Sequence, residues 1–397
     1  MEEFPRIPSS ITCLKLTGSH YDVGYELGKC MKKEICEYLK DMEEHFNILK
    51  QYTNSTEGKQ TYQTFLNAVT SHYPLYRREL EGTADGAGVD FEKLFLFNLE
   101  PELTALYGNN STVEAASSTV GSQIYPQSNG CTDIYVRDSE TDTFVLGHSE
   151  DGIPEMDNAC VWLDVDITDT RRGETVKERF LSFTRAGSMP GNMFNIMAND
   201  LMNGANNVYQ KSINPAGIRE LDSSAPRRFF MRAILSANSY LDVINIIEKP
   251  PGIASGYNIN LIHPGSGVGL TCTCIEIAGH PDGEQHFINP CEDFFTHTNL
   301  YNYLTMPHYQ EESSVQRQRT VDSWKQKCKL VTKSDVIRIL SNQENSEFPV
   351  FRTGKYPDYL TTSCIALFDL NTMKLDIYRD KPETTDPTLT INIREFR

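Results

Sequence analysis

The sequence lacks the features of a membrane protein, a nucleotide-binding fold or an exported chain. No segment approaches 18 consecutive apolar residues, so no membrane span is predicted. GxGxxG after a strand pattern and GxxxxGK(S/T) are both absent, and with them the common phosphate-binding loops. The amino terminus carries two acidic residues and no apolar core after them, unlike a secretory signal or an Arg-rich transit peptide. We therefore expect the protein to work in the cytosol, away from membranes.

Positive charge is also scarce. The chain has 37 Lys and Arg against 54 Asp and Glu, a net charge of −17, so a nucleic-acid backbone would be repelled. Hydrophobic residues make up 39% of the sequence and charged residues 23%, as in a folded globular protein. A chain of 397 residues has room for two or three domains or for one large layered domain.

Cysteine is plentiful but lacks the spacing of a metal site. Ten cysteines are scattered along the chain, unlike the dense pattern of a small disulfide-bonded scaffold. Cys272 and Cys274 are the one close pair, and strand alternation puts both sulfurs on one face with no second Cys or His pair at zinc spacing. We expect no metal and no organic cofactor.

The first hundred residues have the periodicity of helices. Apolar residues recur at helical spacing over 21–39 and again over 62–80. Asp90 is a suitable N-cap for a third helix, and Gly82, Gly86 and Gly88 are interpreted as the turn before it. Residues 108–129 are small and polar, and they predict a loop.

After residue 130 the pattern changes to strands. Short runs rich in Val, Ile, Thr, Phe and Tyr lie at 131–136, 143–147, 160–167, 179–183, 193–197, 256–262, 269–277, 285–288, 364–370 and 374–378. Two helices, over 225–237 and 240–248, interrupt them. Because helices and strands alternate in blocks and not in a βαβ rhythm, the order predicts an α+β protein with a four-layer αββα sandwich.

The dipeptide Gly130-Cys131 is the strongest candidate for chemistry. One interpretation is a buried cysteine at the start of a strand, which is common. The other is a self-cleaving bond, in which the thiol attacks the preceding carbonyl, the acyl group moves from nitrogen to sulfur, and water releases it. The new chain would begin with Cys131, whose α-amino group, with a reference pKa of about 8, can act as the base for its own thiol. None of the nine histidines pairs obviously with Cys131 in the sequence.

Several motifs in order resemble the penicillin acyltransferase group of N-terminal-nucleophile hydrolases (cysteine peptidase family C45), which includes the β-alanyl-dopamine hydrolases of arthropods. These motifs are Gly18 to Gly28, Glu81 to Asp90 running on to Asn98 and Glu102-Leu103, Asn129 to Thr132, Gly147 to Asp151, Ala186-Gly187 with Gly191, and His297 to Asn299. The resemblance covers most of the chain. It implies the αββα fold and a chain cut between Gly130 and Cys131.

The resemblance also implies roles for particular residues. Cys131 matches the nucleophile, and Gly130 the other side of the cut. Asp151 matches an aspartate that lies near the nucleophile. This aspartate is expected to hold the amino group and to polarise the groups that take part in self-cleavage. Without the resemblance, Asp151 would be interpreted as a turn residue. Asn299 matches an asparagine whose amide donates to the oxyanion; its alternative is a capping or turn residue.

The chain departs from the acyltransferase members in three places. Asp133 stands where they have threonine, an arginine is missing near Leu360–Thr362, and three asparagines replace a more apolar strand, at Asn203, Asn206 and Asn207. Asp133 could bind the ammonium of a β-alanyl group, so it is a candidate substrate-binding residue; alternatively it faces solvent or caps a loop.

These inferences predict an autoprocessed amidohydrolase. Residues 1–130 and 131–397 would form an αβ pair within one interlocked fold, and N-β-alanyl biogenic amines, such as β-alanyl-dopamine and β-alanyl-histamine, would be the substrates. An acyltransferase of the same family, using amines or a coenzyme A thioester, is the nearest alternative. A non-catalytic scaffold and an unrelated cysteine–histidine thiol enzyme are the others.

Overall fold

The structure is a computed structural model. It describes residues 10–107 except 44–46, 48–49 and 51–52, and residues 129–396 except 172, 211–223, 266–268, 280–284, 328–331 and 356. Of the loop predicted at 108–129, residues 108–128 lie outside the described residues, and Asn129 belongs to a strand.

Ten helices have bounds within the described residues. They are α1 (His20–Cys30), α2 (Lys32–Asp41), α3 (Thr56–His72), α4 (Pro74–Ala87), α5 (Phe91–Asn98), α6 (Glu100–Tyr107), α7 (Arg227–Ile234), α8 (Tyr240–Glu248), α9 (Glu312–Lys327) and α10 (Lys333–Leu340). The helix predicted over 21–39 is two helices, and the one over 62–80 is broken at Tyr73, because Pro74 begins a new helix and has no N–H to continue the old one.

The strands form two sheets. The strands are β1 (Thr12–Gly18), β2 (Asn129–Asp138), β3 (Thr143–Gly152), β4 (Cys160–Arg171), β5 (Glu174–Arg185), β6 (Phe194–Met197), β7 (Leu201–Asn207), β8 (Tyr257–Pro264), β9 (Leu270–Ala278), β10 (Gln285–Pro290), β11 (Phe294–His297), β12 (Thr361–Asp369), β13 (Lys374–Tyr378) and β14 (Leu389–Asn392). Sheet A has the order β1-β4-β5-β6-β7-β8-β9-β10, and sheet B has the order β11-β2-β3-β12-β13-β14. β1 runs parallel to β4, and the other pairs are antiparallel.

Three apolar cores separate four layers. The first packs helices α1–α8 on one face of sheet A, and the second fills the space between the sheets. The third packs α9 and α10 on the outer face of sheet B. Strand β2 follows this alternation, since Tyr135 faces the other sheet while Ile134 and Val136 face the helices. The predicted α+β class and αββα sandwich are confirmed.

The glycines read as a turn have another role. Gly82 and Gly86 lie inside α4, and Gly88 alone caps it in the left-handed conformation. A Cβ on Gly82 would lie 2.2 Å from the carbonyl oxygen of Tyr21, and one on Gly86 would lie 2.1 Å from that of Tyr25. Gly24 and Gly28 of α1 meet the backbone of α4 in the same way. The four glycines therefore let two helix backbones touch, which a helical-periodicity argument does not foresee.

The segments on either side of Cys131 share one core. Strand β1 lies at the edge of sheet A, paired with β4, and helices α1–α6 cover that sheet. A cut before Cys131 would therefore leave two pieces held together by a common interior. Among the described residues, no helix is both long and apolar enough to cross a bilayer.

Candidate active site

Cys131 lies in sheet B, near the start of strand β2. Its direct partner on β3 is Glu150, and the partner of Gly130 is Asp151. The Cys131 side chain is a free thiol, 1% exposed, that points into the space between the sheets. A Cβ on Gly130 would lie 2.4 Å from Arg352 Nη1, so any larger residue before Cys131 would displace this guanidinium.

The thiol donates a hydrogen bond to a carboxylate. Cys131 Sγ lies 3.3 Å from Glu150 Oε2. Burial raises the pKa of the Cys131 thiol well above its usual range, and the charges of Glu150 and Asp151 raise it further. In the intact chain, the sulfur therefore carries its proton at neutral pH.

The backbone of Cys131 is fixed by two side chains from other parts of the chain. Its N–H donates to Asn299 Oδ1 at 3.0 Å, and its carbonyl oxygen accepts from Arg317 Nη1 at 2.7 Å. Arg317 Nη2 also donates to Asn299 Oδ1, at 2.8 Å, while Asn299 Nδ2 donates to the carbonyl of Asn207 at 2.9 Å. Asn299 thus has its oxygen on the atom that would become the α-amino group, and one N–H of its amide remains for an oxyanion.

Asp151 is buried on the opposite face of β3 from Glu150. Thr362 Oγ1 donates to Asp151 Oδ1 at 2.8 Å, and Arg352 Nη1 lies 3.5 Å from Oδ2. Burial raises the pKa of Asp151, while Arg352 and Arg317 oppose the shift. Asp151 is therefore beside Gly130, on the acyl side of the bond before Cys131, and not beside the thiol.

Two arginines occupy the region where sequence reasoning found none. Arg317 belongs to α9, and Arg352 precedes β12 and exchanges backbone and side-chain hydrogen bonds with Thr362. Arg352 is held by an ion pair with Asp358. Arg352 therefore lies beside Thr362, which belongs to the stretch where the sequence shows no arginine.

Asp133 lies in a buried polar network. It is fully buried, so the alternative of a solvent-facing residue is wrong. Its Oδ1 lies 2.5 Å from His148 Nδ1, and its Oδ2 accepts from Asn260 Nδ2. Each oxygen thus already has one protein partner, and a substrate-binding role for Asp133 stays a prediction.

His148 is connected to Cys131 through Glu150, a link that the sequence does not make obvious. Its Nε2 lies 3.4 Å from Glu150 Oε2, the oxygen that accepts the hydrogen bond from the thiol, and its Nδ1 faces Asp133. A continuous chain of polar contacts therefore runs from Asp133 through His148 and Glu150 to Cys131. Arg185 extends it, with Nη1 3.1 Å from Glu150 Oε1.

The charge state of His148 gives a measurable pH dependence. Burial lowers its pKa, but the charge and hydrogen bond of Asp133, together with Glu150, outweigh burial and raise the pKa to about 10. The stabilisation from this pairing is complete below the unfolded value of about 6.5 and is lost as the pH rises through about 10. We expect His148→Gln to cost roughly 3–5 kcal/mol near pH 6. The loss should shrink towards pH 10, as measured by thermal unfolding.

A matched control is His286→Gln, which changes an exposed histidine and should cost no more than about 0.5 kcal/mol at either pH. A His148→Gln deficit of constant size across this range would contradict a charged His148.

Among the described residues, two groups of side chains have the geometry to hold a metal ion. Cys131, His148 and Glu150 bring one ligand atom each within 4.8 Å of one another, and so do Cys274, Glu276 and His297. In the second group, Glu276 already accepts from His297 and from the N–H groups of Asn302, Tyr303 and Leu304. These hydrogen bonds use the oxygens that a metal would need, so the absence of a metal stays the prediction.

A pocket lies beside Glu150. It is lined by Glu150 and Asn207, by the rings of Tyr38 and Phe97, and by the charged groups of Glu100 and Arg228. Tyr38, Phe97 and Glu100 precede the expected cut, and the other three follow it. Both pieces of the chain therefore build the pocket.

Comparison with known proteins places the chain in a family. The sequence model of the family described as acyl-coenzyme A:6-aminopenicillanic acid acyl-transferase matches residues 136–384, more than half of the chain. The chain belongs to this family. The match includes Asp151, Asn299, Arg317 and Arg352, and it begins after Cys131. Membership confirms the resemblance found in the motifs and the prediction that the protein is an enzyme.

Two further proteins are similar to this chain. The β-alanyl-dopamine/carcinine hydrolase of Drosophila melanogaster is 27% identical over 395 residues, which cover 95% of each chain. The structure of penicillin V acylase from Agrobacterium tumefaciens is 11% identical with a TM-score of 0.37, over 67% of this chain and 86% of that one.

Proposed function

We propose that this member of the family is a thiol amidohydrolase that cuts itself between Gly130 and Cys131. Residues 1–130 and 131–397 stay together as a heterodimer in the cytosol, without a metal or organic cofactor. The substrates are N-β-alanyl biogenic amines, which the enzyme hydrolyses to β-alanine and the free amine. The observation that carries this proposal is the environment of Cys131, which directly follows a glycine. Its N–H donates a hydrogen bond to Asn299, and its thiol donates one to Glu150.

In the mature enzyme, the α-amino group of Cys131 takes the thiol proton, and the sulfur attacks the amide carbonyl. Asn299 Oδ1 orients this amino group, since it already accepts from the same nitrogen. The remaining N–H of Asn299 donates to the oxyanion. The amino group then returns its proton to the leaving amine, and water releases β-alanine from the thioester.

The pocket supports a substrate with a cationic acyl end and an aromatic amine. The Glu150 carboxylate contacts the thiol, where the acyl group must sit, and Tyr38 and Phe97, which line the same pocket as Glu150, offer aromatic surface. The relative from Drosophila is named for hydrolysis of β-alanyl-dopamine and carcinine. Asp133 acts on the acyl end through its contact with His148.

We expect the purified protein to hydrolyse β-alanyl-dopamine with a kcat/KM about 10- to 100-fold higher than N-acetyl-dopamine, because the acetyl group lacks the ammonium that a carboxylate would bind. Free dopamine and β-alanine are quantified by chromatography. N-propionyl-dopamine, which keeps the chain length and lacks only the charge, is the matched control substrate. Equal rates on all three amides would contradict a preference for β-alanyl groups.

Acyl transfer is the second candidate, because the family is described as an acyl-transferase family. Both reactions share the thioester on Cys131 and differ in what attacks it. Adding histamine to a β-alanyl-dopamine reaction separates them. A hydrolase releases β-alanine in proportion to dopamine, whereas a transferase accumulates β-alanyl-histamine at the expense of β-alanine.

A further inference from the structure

Self-cleavage requires a different base from the one that the mature enzyme uses. The α-amino group of Cys131 exists only after the bond to Gly130 has been cut, so it cannot activate the thiol that makes this cut. The thiol is buried, and nearby negative charges keep it protonated. A group already present in the intact chain must therefore accept the proton as the sulfur attacks.

Glu150 is the carboxylate that touches this thiol. It is 2% exposed, it lies directly opposite Cys131 in the register of β2 and β3, and its Oε2 accepts from Sγ at 3.3 Å. Arg185 at 3.1 Å and His148 at 3.4 Å fix the orientation of the carboxylate. The base is thus pre-oriented and shielded from bulk water.

The neighbouring titratable groups are less suited to this step. Asp151 lies on the other face of β3, bound to Thr362 and Arg352. The hydrogen bonds of Asp133 go to His148 and Asn260, whereas that of the thiol goes to Glu150. His148 is held between two carboxylates as a cation and has no lone pair to accept a proton.

We propose that Glu150 is the general base and acid of self-cleavage, an inference that rests on the proposed cut at Gly130. Glu150 takes the proton from Cys131 Sγ as the sulfur–carbon bond to Gly130 forms. It gives that proton to the nitrogen of Cys131 as the carbon–nitrogen bond breaks, leaving a thioester and a free amine. Water then attacks the thioester, Gly130 leaves as a carboxylic acid, and the thiol regains a proton. No oxidant or other reactant is required.

The test follows newly made chains in cell-free translation, where the full-length chain and its two pieces are resolved by gel over time. Glu150→Gln keeps the size of the side chain but cannot take the proton, and we expect it to slow cutting by about 100-fold or more. Glu79→Gln is the matched control, because Glu79 is also buried and paired with an arginine, Arg232, far from the thiol. Its cutting rate should stay within about threefold of wild type.

Slow cutting of the Glu150→Gln chain could also result from disturbed folding, so a second variant separates these two causes. Glu150→Ala leaves a space for a small carboxylate, and we expect added formate to accelerate its cutting in proportion to concentration, whereas chloride at equal ionic strength should not. Failure of formate to accelerate it would overturn the assignment in favour of a structural role.

Two outcomes separate this inference from the proposed function. If the wild-type chain is cut and Glu150→Gln is cut equally fast, the role of Glu150 is overturned while self-cleavage stands. If the wild-type chain stays whole, self-cleavage itself is overturned, and the role of Glu150 with it.

Discussion

Cys131→Ala is expected to remain a single chain of 397 residues with no measurable amidase activity. Alanine removes the only atom that can both attack the Gly130 carbonyl and later carry the acyl group, so the cut and the turnover are lost together. Wild type should appear as pieces ending at Gly130 and beginning at Cys131. A denaturing gel and the intact masses of the purified proteins distinguish the two results.

The matched control is Cys272→Ala, which removes an equally buried thiol from sheet A and should be cut normally. Wild-type protein that is active but never cut would contradict the N-terminal-nucleophile mechanism. It would favour a thiol enzyme in which Glu150 and His148 serve Cys131 directly. A Cys131→Ala chain still cut before residue 131 would instead point to an external protease.

The helical and strand patterns predicted the layers because each face of an element must be buried against a neighbour. The four αββα layers follow from this rule, and so does the order of blocks along the chain. The breaks were harder to foresee. Tyr73-Pro74 divides one predicted helix, and Gly82 and Gly86 continue the next, because their missing Cβ atoms admit the backbone of α1. Such contacts depend on which helices meet, which a local pattern does not contain.

Part of the site could have been predicted by counting residues back from the turn between β2 and β3. The hairpin of β2 and β3 turns between Asp138 and Thr143, and stepping back seven residues on each strand from this pair reaches Cys131 and Glu150. Strand alternation then puts Asp133 and His148 on the same face as the thiol. Asp151, the residue singled out from the sequence, falls on the other face for the same reason.

Arg317 and Arg352 could not have been predicted by counting residues along this hairpin. Arg317 lies 186 residues beyond Cys131 and reaches it from a helix that packs on the outer face of sheet B. Arg352 reaches Gly130 from the segment before β12. Nothing in their sequence surroundings distinguishes them from surface arginines, and only the packing of the third core brings both guanidinium groups to Gly130 and Cys131.

Asn299→Ala is expected to lower kcat by about 10²–10³-fold with a much smaller change in KM. The side chain is 1% exposed and accepts from Cys131 N, and in the proposed mechanism its second amide N–H donates to the oxyanion. The oxyanion exists only in the transition state, so its loss should affect kcat and not substrate binding. Steady-state kinetics on β-alanyl-dopamine, normalised to the amount of cut chain, measure the effect.

Asn299→Asp separates these two contacts, because aspartate keeps an oxygen for the amino group and loses the N–H donor. If the oxyanion contact dominates, Asn299→Asp should be as slow as Asn299→Ala, since a carboxylate would also repel the developing charge. If the asparagine only anchors Cys131, Asn299→Asp should retain most of the activity, and the oxyanion role would be wrong. Asn289→Ala, which removes a partly buried asparagine bonded to Tyr303, is the control and should leave kcat unchanged.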